Sequence, residues 1–326
     1  MGWVARGRRR ALAVVIVVPT VVALVPDAPA LASGKVPGID VSMYQRRIDW
    51  RRVGATHLRF AILRASLGNT YVDARYRRNL QGASTHGLVV GAYHYAKPNP
   101  APWDAGAEAN HFLRVARNAP GDVVPVLDIE ETGGLGRKQL WRWTKRWLTR
   151  VRERTGLRAM IYSASSFWAH SMGNTSWFAR HGYPHWVAHW YVRRPDVPGR
   201  GWGGTGWTVW QWSASGRVPG IPGPVDLDWF AGRDLSAGTI GAVTVRSSAG
   251  GTVFGPMLAC GSGRSLCTSR VNPGAPVTLR AAAAPGARFV RWTDACAPAG
   301  TAHTCRLIGR DQLTVSAVFA HVRSSG

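Results

Sequence analysis

The chain has 326 residues, 45% of them apolar, with 41 Lys+Arg against 17 Asp+Glu and a formal net charge of +24. That length exceeds one average domain and that apolar fraction supports a sizeable core, which excludes a disordered or fibrous chain. A surface this basic favours polyanions such as nucleic acid, acidic wall polymers or an anionic membrane.

The first 32 residues read as a secretory signal peptide: a cationic MGWVARGRRR, an apolar ALAVVIVVPTVVALV and a small-residue APALA, with cleavage expected after Ala30 or Ala32. The apolar run is broken by Pro19 and is short for a span of about 20 residues. No later stretch is apolar and long enough for stable membrane insertion. Removing this segment takes four arginines and Asp27, so the remainder stays strongly basic. Its cations, among them Arg75, Arg77, Arg78, Arg137, Lys138, Arg142, Lys145 and Arg146, are scattered along the sequence. No RNA- or DNA-binding signature interleaves them, so no nucleic-acid partner is expected.

From Val36 to Phe230 short apolar runs recur: VPGIDVS, RFAILRAS, LVVGAYHYA, VVPVLDIE, RAMIYS, WVAHW, WTVWQW and PVDLDWF. Helical spacing fills DARYRRNLQGASTHG, DAGAEANHFLRVARNA and RKQLWRWTKRWLTRVRERTG between the early ones. Eight runs alternating with helices predict an α/β fold, a TIM-like parallel (β/α) barrel over residues 33–235. It should be irregular where the last three runs lack long helices between them. Residues 236–242 read as a linker. Beyond it AVTVRSS, APVTLRA, ARFVRW and LTVSAVFA alternate with period two, predicting a small antiparallel β module over 243–326.

All four cysteines, Cys260, Cys267, Cys296 and Cys305, fall in that last part. In an exported chain an even cluster reads as disulfides, and the C-x6-C and C-x8-C spacings do not suit a zinc knuckle. Of three possible pairings, the two local ones are expected.

Acids are scarce, yet VVPVLDIEE ends in three. In a strand i and i+2 share a face, so Asp128 and Glu130 point together while Glu131 points away. Functional side chains of (β/α) barrels gather at the C-terminal strand ends. Asp40 ends the first run and Asp226 belongs to the last, so the four acids could converge where a barrel closes. Paired carboxylates suit glycoside hydrolysis, one protonated to serve the leaving oxygen and the other ionised to stabilise the sugar cation. Taken singly, D-x-E is as well explained by strand-end salt bridges to the many arginines. Aromatic residues at or near strand ends, Tyr93, Tyr95, Tyr162, Trp190, Trp210 and Trp212, could wall a sugar site, whereas Trp143 and Trp147 suit helix packing. No metal-binding His string, nucleophile elbow, G-x-G-x-x-G or Walker A occurs, so neither metal nor cofactor is expected.

In this order GIDVSMYQRRIDW, FAILRASLG, GLVVGAYHYAKP, PVLDIE, TGLRAMIYS, WVAHW and WQWSASGRVPGIPGPVDLDWF resemble the glycoside hydrolase family 25 muramidases, the lysozymes of the Chalaropsis type. The resemblance covers roughly residues 36–232. It implies a secreted or wall-associated enzyme hydrolysing the β-1,4 bond between N-acetylmuramic acid and N-acetylglucosamine in peptidoglycan, with net retention. Glu130 would be the general acid, Asp128 would assist the substrate N-acetyl group or otherwise stabilise the cation, and Asp40 and Asp226 would complete the cluster. Arg64, Tyr93, Tyr95, Tyr162, Trp190 and Gln211 would bind substrate. Leu67 stands where many members carry an acid, Arg64 where lysine is frequent and Trp190 where tyrosine is usual, which bears on subsite contacts. A non-catalytic wall-glycan binder and a chitinase-like N-acetylhexosaminidase are the alternatives; the longer D-x-x-D-x-D-x-E of chitinases is absent. The C-terminal part is similar to the internalin B-repeat type of module, which suggests adhesion or wall proximity, with a stabilising appendage as the other reading. Anionic wall polymers are possible further partners.

Overall fold

The computed structural model describes residues 34–322, so the expected signal peptide lies outside the described residues. No helix among those described is long and apolar enough to cross a membrane.

The first part is a mixed α/β fold around an eight-stranded closed barrel. Its strands are β1 (Lys35–Val41), β2 (Phe60–Leu67), β4 (Val89–Tyr95), β5 (Val126–Asp128), β6 (Met160–Ala164), β7 (His185–Ala188), β8 (Val209–Gly216) and β9 (Val225–Ala231). A two-residue β3 (Tyr71–Val72) adds to the edge of β2. Neighbours run β1-β9-β8-β7-β6-β5-β4-β2, and β1 pairing with β2 closes the ring. The helices that cover it are α1 (Trp50–Gly54), α2 (Tyr76–Thr85), α3 (Asp104–Val115), α4 (Arg137–Thr155), α5 (Ser165–Ser171) and α6 (Trp177–Arg180). The three long ones fall on the segments with helical spacing. Gly156 ends α4 in the left-handed conformation at φ 77°, as a residue without Cβ does at low cost.

The expected all-parallel barrel needs one correction. β9 is antiparallel to both β1 and β8. Too little chain separates β8 from β9 for a crossover helix, and a short connection returns a strand antiparallel. The irregular side also includes residues 198–203, where Gly199, Arg200, Gly201 and Trp202 all have φ between 50° and 65°. Such a left-handed turn strains its non-glycine members. It is held by Trp202, whose Nε1 donates to the Tyr183 carbonyl at 2.7 Å and whose ring stacks on His185 at 3.9 Å.

Period-two alternation sorts the strands into two cores. Ile39, Val41, Ala61, Leu63, Leu127, Ile129 and Ile161 face outward and bury against the helices, where Trp143, Trp147, Trp168 and Phe178 pack. Val36, Phe60, Ile62, Val126, Met160, Trp186, Val209 and Phe230 face inward and fill the closed end of the barrel. At roughly 25 cal/mol per Å² of apolar surface removed from water, these aromatic-rich layers fix the barrel's shape. Gly38 is needed here. A Cβ on it would lie 2.3 Å from the Phe60 ring, which otherwise meets Phe230 edge-on at 5.6 Å.

Two further sheets follow, built from β10 (Gly241–Ser247), β11 (Gly251–Gly255), β12 (Leu258–Gly261), β13 (Arg264–Leu266), β14 (Thr268–Val271), β15 (Pro276–Ala283), β16 (Ala287–Asp294), β17 (Thr304–Ile308) and β18 (Gln312–His321). Their orders are β14-β10-β18-β16 and β13-β12-β11-β15-β17. They are not purely antiparallel as expected, because β10 runs parallel to β18. The disulfides are Cys260–Cys267 and Cys296–Cys305, the two local pairs. Three of the four cysteines sit in a core with Val253, Leu279, Trp292 and Phe319. The stretch read as a linker is packed rather than free: Thr239 bridges Val123, and Ile240 is buried in the barrel's inner core.

Candidate active site

At the open end of the barrel the inward positions change from apolar to acidic. Phe60, Ile62 and Arg64 climb β2; Val126 and then Asp128 climb β5; Gly38 and Asp40 climb β1. β5 ends at Asp128, so Glu130 lies just beyond the strand rather than within it. Because β9 is reversed, its start lies at this same end, and Asp226 sits directly opposite Asp40 in the antiparallel register.

A cavity of about 310 Å³ is lined by Asp40, Arg64, Tyr93, Tyr95, Asp128, Glu130, Tyr162, Trp190, Gln211 and Asp226, ten of the twelve catalytic or binding candidates named from the sequence. Ser42, Tyr44, Gln45, Trp186 and Ala214 complete it. Trp210 and Trp212 do not reach it. Trp210 turns outward beneath Lys35, whose Nζ is 5.0 Å from its ring, and Trp212 stacks on Trp229 at 6.0 Å. In β8 the residues flanking Gln211 face the opposite way, which sends both rings outside.

One hydrogen-bonded relay organises the polar wall. Gln211 Nε2 donates to Asp40 Oδ2 at 2.6 Å, and Gln211 Oε1 accepts from Tyr162 Oη at 3.0 Å and Trp190 Nε1 at 2.8 Å. These three bonds fix which way the amide faces. Arg64 is held from behind, its Nε donating to Asp73 Oδ2 at 2.8 Å and its guanidinium lying 5.0 Å from the Tyr44 ring. Asp73 also accepts from the Met43 and Arg75 amides, which ties the β1–α1 turn to Arg64.

The sequence reading passed over Asp228. It is 1% exposed and accepts from Trp186 Nε1 at 2.9 Å. The signal was present: D-L-D at 226–228 has the i, i+2 spacing that singled out D-I-E. Trp186 meets Tyr162 edge-on at 4.7 Å and Tyr93 at 6.4 Å, forming an aromatic floor under the acids.

Four carboxyls therefore line a cavity whose lining contains one guanidinium, with Asp228 buried outside that lining, and they cannot all ionise. Asp128 and Glu130 lie close enough for each to bear on the other's ionisation. Beyond burial, the Asp228 charge likewise raises Asp40. Burial, followed by the Glu130 charge, holds Asp128 well above the ordinary carboxylate range. Burial also raises Glu130. Asp40 and Asp228 are raised by burial and then by Asp226, and Asp226 is pushed up to about 6 by burial and Glu130. Such a site keeps a carboxylic acid protonated near neutral pH beside an ionised partner, which is what acid-assisted cleavage of an acetal needs.

Glu131 is outside the cavity but touches its wall, accepting from Tyr95 Oη at 2.8 Å and from Lys97 Nζ at 2.5 Å. A Ser66–His94–Glu108 chain, with links of 2.9 and 2.8 Å, lies on the outward side of β2 and β4. All three residues are buried. Burial pushes Glu108 up to about 8 and His94 down to about 3. Both are neutral at pH 7, and no substrate reaches the serine, so this chain supports the strands rather than acting as a nucleophile.

Comparison with known proteins matches residues 39–221 to the family model of the glycosyl hydrolases family 25. The chain is 41% identical over 206 residues to the uncharacterized protein YegX of Escherichia coli O6:H1, covering 62% of this chain and 71% of that protein. It is 38% identical over 217 residues to Lysozyme M1 of Streptomyces globisporus, covering 63% and 70%. The crystal structure of the bacterial lysozyme from Streptomyces coelicolor superimposes with a TM-score of 0.57 at 36% identity, over 62% of this chain and 94% of that one.

Proposed function

The chain belongs to the glycosyl hydrolases of family 25, and from that premise we propose how its four-acid cavity works as a muramidase on peptidoglycan. The enzyme is a glycoside hydrolase, as its lysozyme relatives are named. The bond cut is the β-1,4 link between N-acetylmuramic acid and N-acetylglucosamine, with Glu130 protonating the leaving oxygen.

The observation that carries this reading is the convergence of Asp128 and Glu130, both raised by burial, in one cavity with Asp40 and Asp226. In this reading the nucleophile is supplied by the substrate, its own 2-acetamido group, with Asp128 accepting a hydrogen bond from the acetamido N–H. That contact draws Asp128 into its ionised form and leaves Glu130 as the protonated partner. Asp40, Asp226 and Asp228 keep the local potential negative, so the proton stays in the cavity until it is transferred. Arg64, Tyr93, Tyr95, Tyr162, Trp190 and Gln211 hold the sugar, with Gln211 orienting Trp190 and Asp40 together.

Around this centre we read an irregular TIM-like barrel over residues 33–235 and a disulfide-linked C-terminal β module resembling divergent B-repeats over 243–326. The module acts in wall proximity. Residues 1–32 direct secretion.

The test is digestion of purified peptidoglycan by wild type and Glu130→Gln. New reducing ends should be muramic acid, and the variant should release few. Glucosamine ends would assign an N-acetylglucosaminidase instead, and undiminished wall binding without soluble fragments from wild type would make the protein a binder.

A further inference from the structure

The basic residues scattered in the sequence gather in space. Helix α4 carries eight Lys+Arg and one acid in nineteen residues. Its inward face, Leu140, Trp143, Trp147, Leu148 and Val151, is buried, so Arg142, Arg146 and Arg152 stand exposed on the other. Two grooves flank that outer face. One, of about 800 Å³, lies against α3 and holds Arg142, Arg146 and the 63%-exposed Trp103. The other, of about 700 Å³, holds Arg152, Arg158 and Arg180. Lys145 and Thr149 line both, so the grooves form one track.

We propose that this track is a binding site for a linear phosphodiester polymer of the teichoic-acid class, separate from the glycan-cleaving cavity. The idea rests on the muramidase reading only for where such a polymer would be met. Among the described residues, the only carboxylate lining the track is Glu153, 3.7 Å from Arg150. Like charges crowded without counter-charges add nothing to folding and attract an anion strongly. Guanidinium forks match phosphate oxygens, which favours phosphate over a diffuse cloud of carboxylates.

The second groove has the marks of a built site. Arg158 Nε is buried with no hydrogen-bond partner. Its backbone is clamped by Asn272, which accepts from its N–H at 2.6 Å and donates to its carbonyl at 2.9 Å. The turn that precedes β15 thus forms one wall. Gly182 lies beneath the guanidinium, where a Cβ would come within 3.6 Å of Nε. The rings nearby are already engaged: Lys145 lies 4.9 Å over Trp177, which stacks on His181 at 3.7 Å and meets Trp141 edge-on at 5.3 Å. Single-stranded nucleic acid relies on free aromatic faces for its bases, and among the tryptophans lining this track only Trp103 is largely exposed, so the cations dominate. At about 1.5 Å per residue, α4 spans about 28 Å, enough for several phosphates. It runs from the mouth of the barrel back along its side, so a polymer held there leaves the mouth open to glycan.

The experiment measures binding of the full chain to glycan-free poly(glycerol phosphate) at two salt concentrations. It compares wild type, Arg142→Gln/Arg146→Gln/Arg152→Gln, and the control Arg288→Gln/Arg291→Gln/Arg306→Gln, which loses the same charge from exposed C-terminal positions. The α4 variant should bind at least about tenfold more weakly, with a shallower dependence of log K on log salt, as fewer counterions are displaced. The control should change little. Equal weakening in both variants would overturn the proposal by showing that net charge alone binds, and tighter binding of a single-stranded DNA of equal charge would replace the polymer by nucleic acid. Both variants should release muramic acid ends from polymer-stripped peptidoglycan at the wild-type rate. If wild type itself releases none, the muramidase reading fails while the binding comparison stands, with thermal unfolding confirming the fold of each variant.

Discussion

Asp40 and Asp226 face each other across the antiparallel pairing of β1 and β9, one at the end of its strand and the other at the start. The reversed strand delivers an acid to the barrel mouth from the opposite direction to the rest. With burial and Glu130, this holds Asp226 at about 6, against about 3.9 in an unfolded chain. The native state binds that proton more tightly. Its contribution to stability is complete below about pH 4 and is lost as pH rises through 6. Asp226→Asn should therefore stabilise the barrel at pH 7.5, by up to about 3 kcal/mol, and give little gain at pH 3.5. Denaturant unfolding at both pH values reads this directly, and an equal gain at both would rule out the charge explanation.

Glu130→Gln removes the only proton source placed beside Asp128, so kcat should fall by about 10²–10⁴, the usual range for a lost general acid, while KM changes little. Asp128→Asn should also lower kcat, and it should move the alkaline limb of the pH–rate profile because Glu130 loses the neighbouring carboxyl that bears on its ionisation. A profile unchanged in shape would mean that the two carboxyls do not titrate together during catalysis.

Much of this site was legible because a strand has period two. That rule set Asp128 and Glu130 on one face, whereas Arg64 and Gln211 were named through the family resemblance. Applied to D-L-D, the same rule would also have found Asp228. The direction of β9 was not legible, since alternation reads the same both ways and only the short β8–β9 connection selects antiparallel. Nor was the outward turn of Trp210 and Trp212, which depends on which β8 residue, Gln211, faces the cavity. The cations of α4 looked scattered because a helix gathers residues three and four apart, and Arg142, Lys145 and Arg146 become neighbours only after folding. The left-handed turn at Gly199–Trp202 had only its glycines as a signal.

Asp228 offers a separation of charge from shape. Asp228→Asn keeps an acceptor for Trp186 Nε1 and removes one of five crowded carboxyls, so thermal stability at neutral pH should rise while activity falls modestly. Asp228→Ala leaves Trp186 Nε1 unsatisfied in a dry interior and should destabilise by about 1–3 kcal/mol. Melting curves that order the two variants the other way would show that the charge is needed for folding.

Gln211 tests whether the wall relay aligns the site or merely fills it. Its amide bonds Asp40, Tyr162 and Trp190 at once. Gln211→Glu keeps an acceptor for the two aromatic donors but replaces the donor to Asp40 by a sixth carboxyl. Asp40 would then either take up a proton to donate across the gap or be pushed away. Crowding should shift activity to lower pH, where the added group is protonated and donates as the amide did. Gln211→Ala has no such recovery at any pH, since Tyr162 and Trp190 both lose their acceptor. The pH–rate profiles of the two variants therefore separate alignment from volume. Rescue of Gln211→Glu below pH 5, with none for Gln211→Ala, is expected if the hydrogen bonds carry the role, whereas equal and pH-independent losses would leave Gln211 as packing alone.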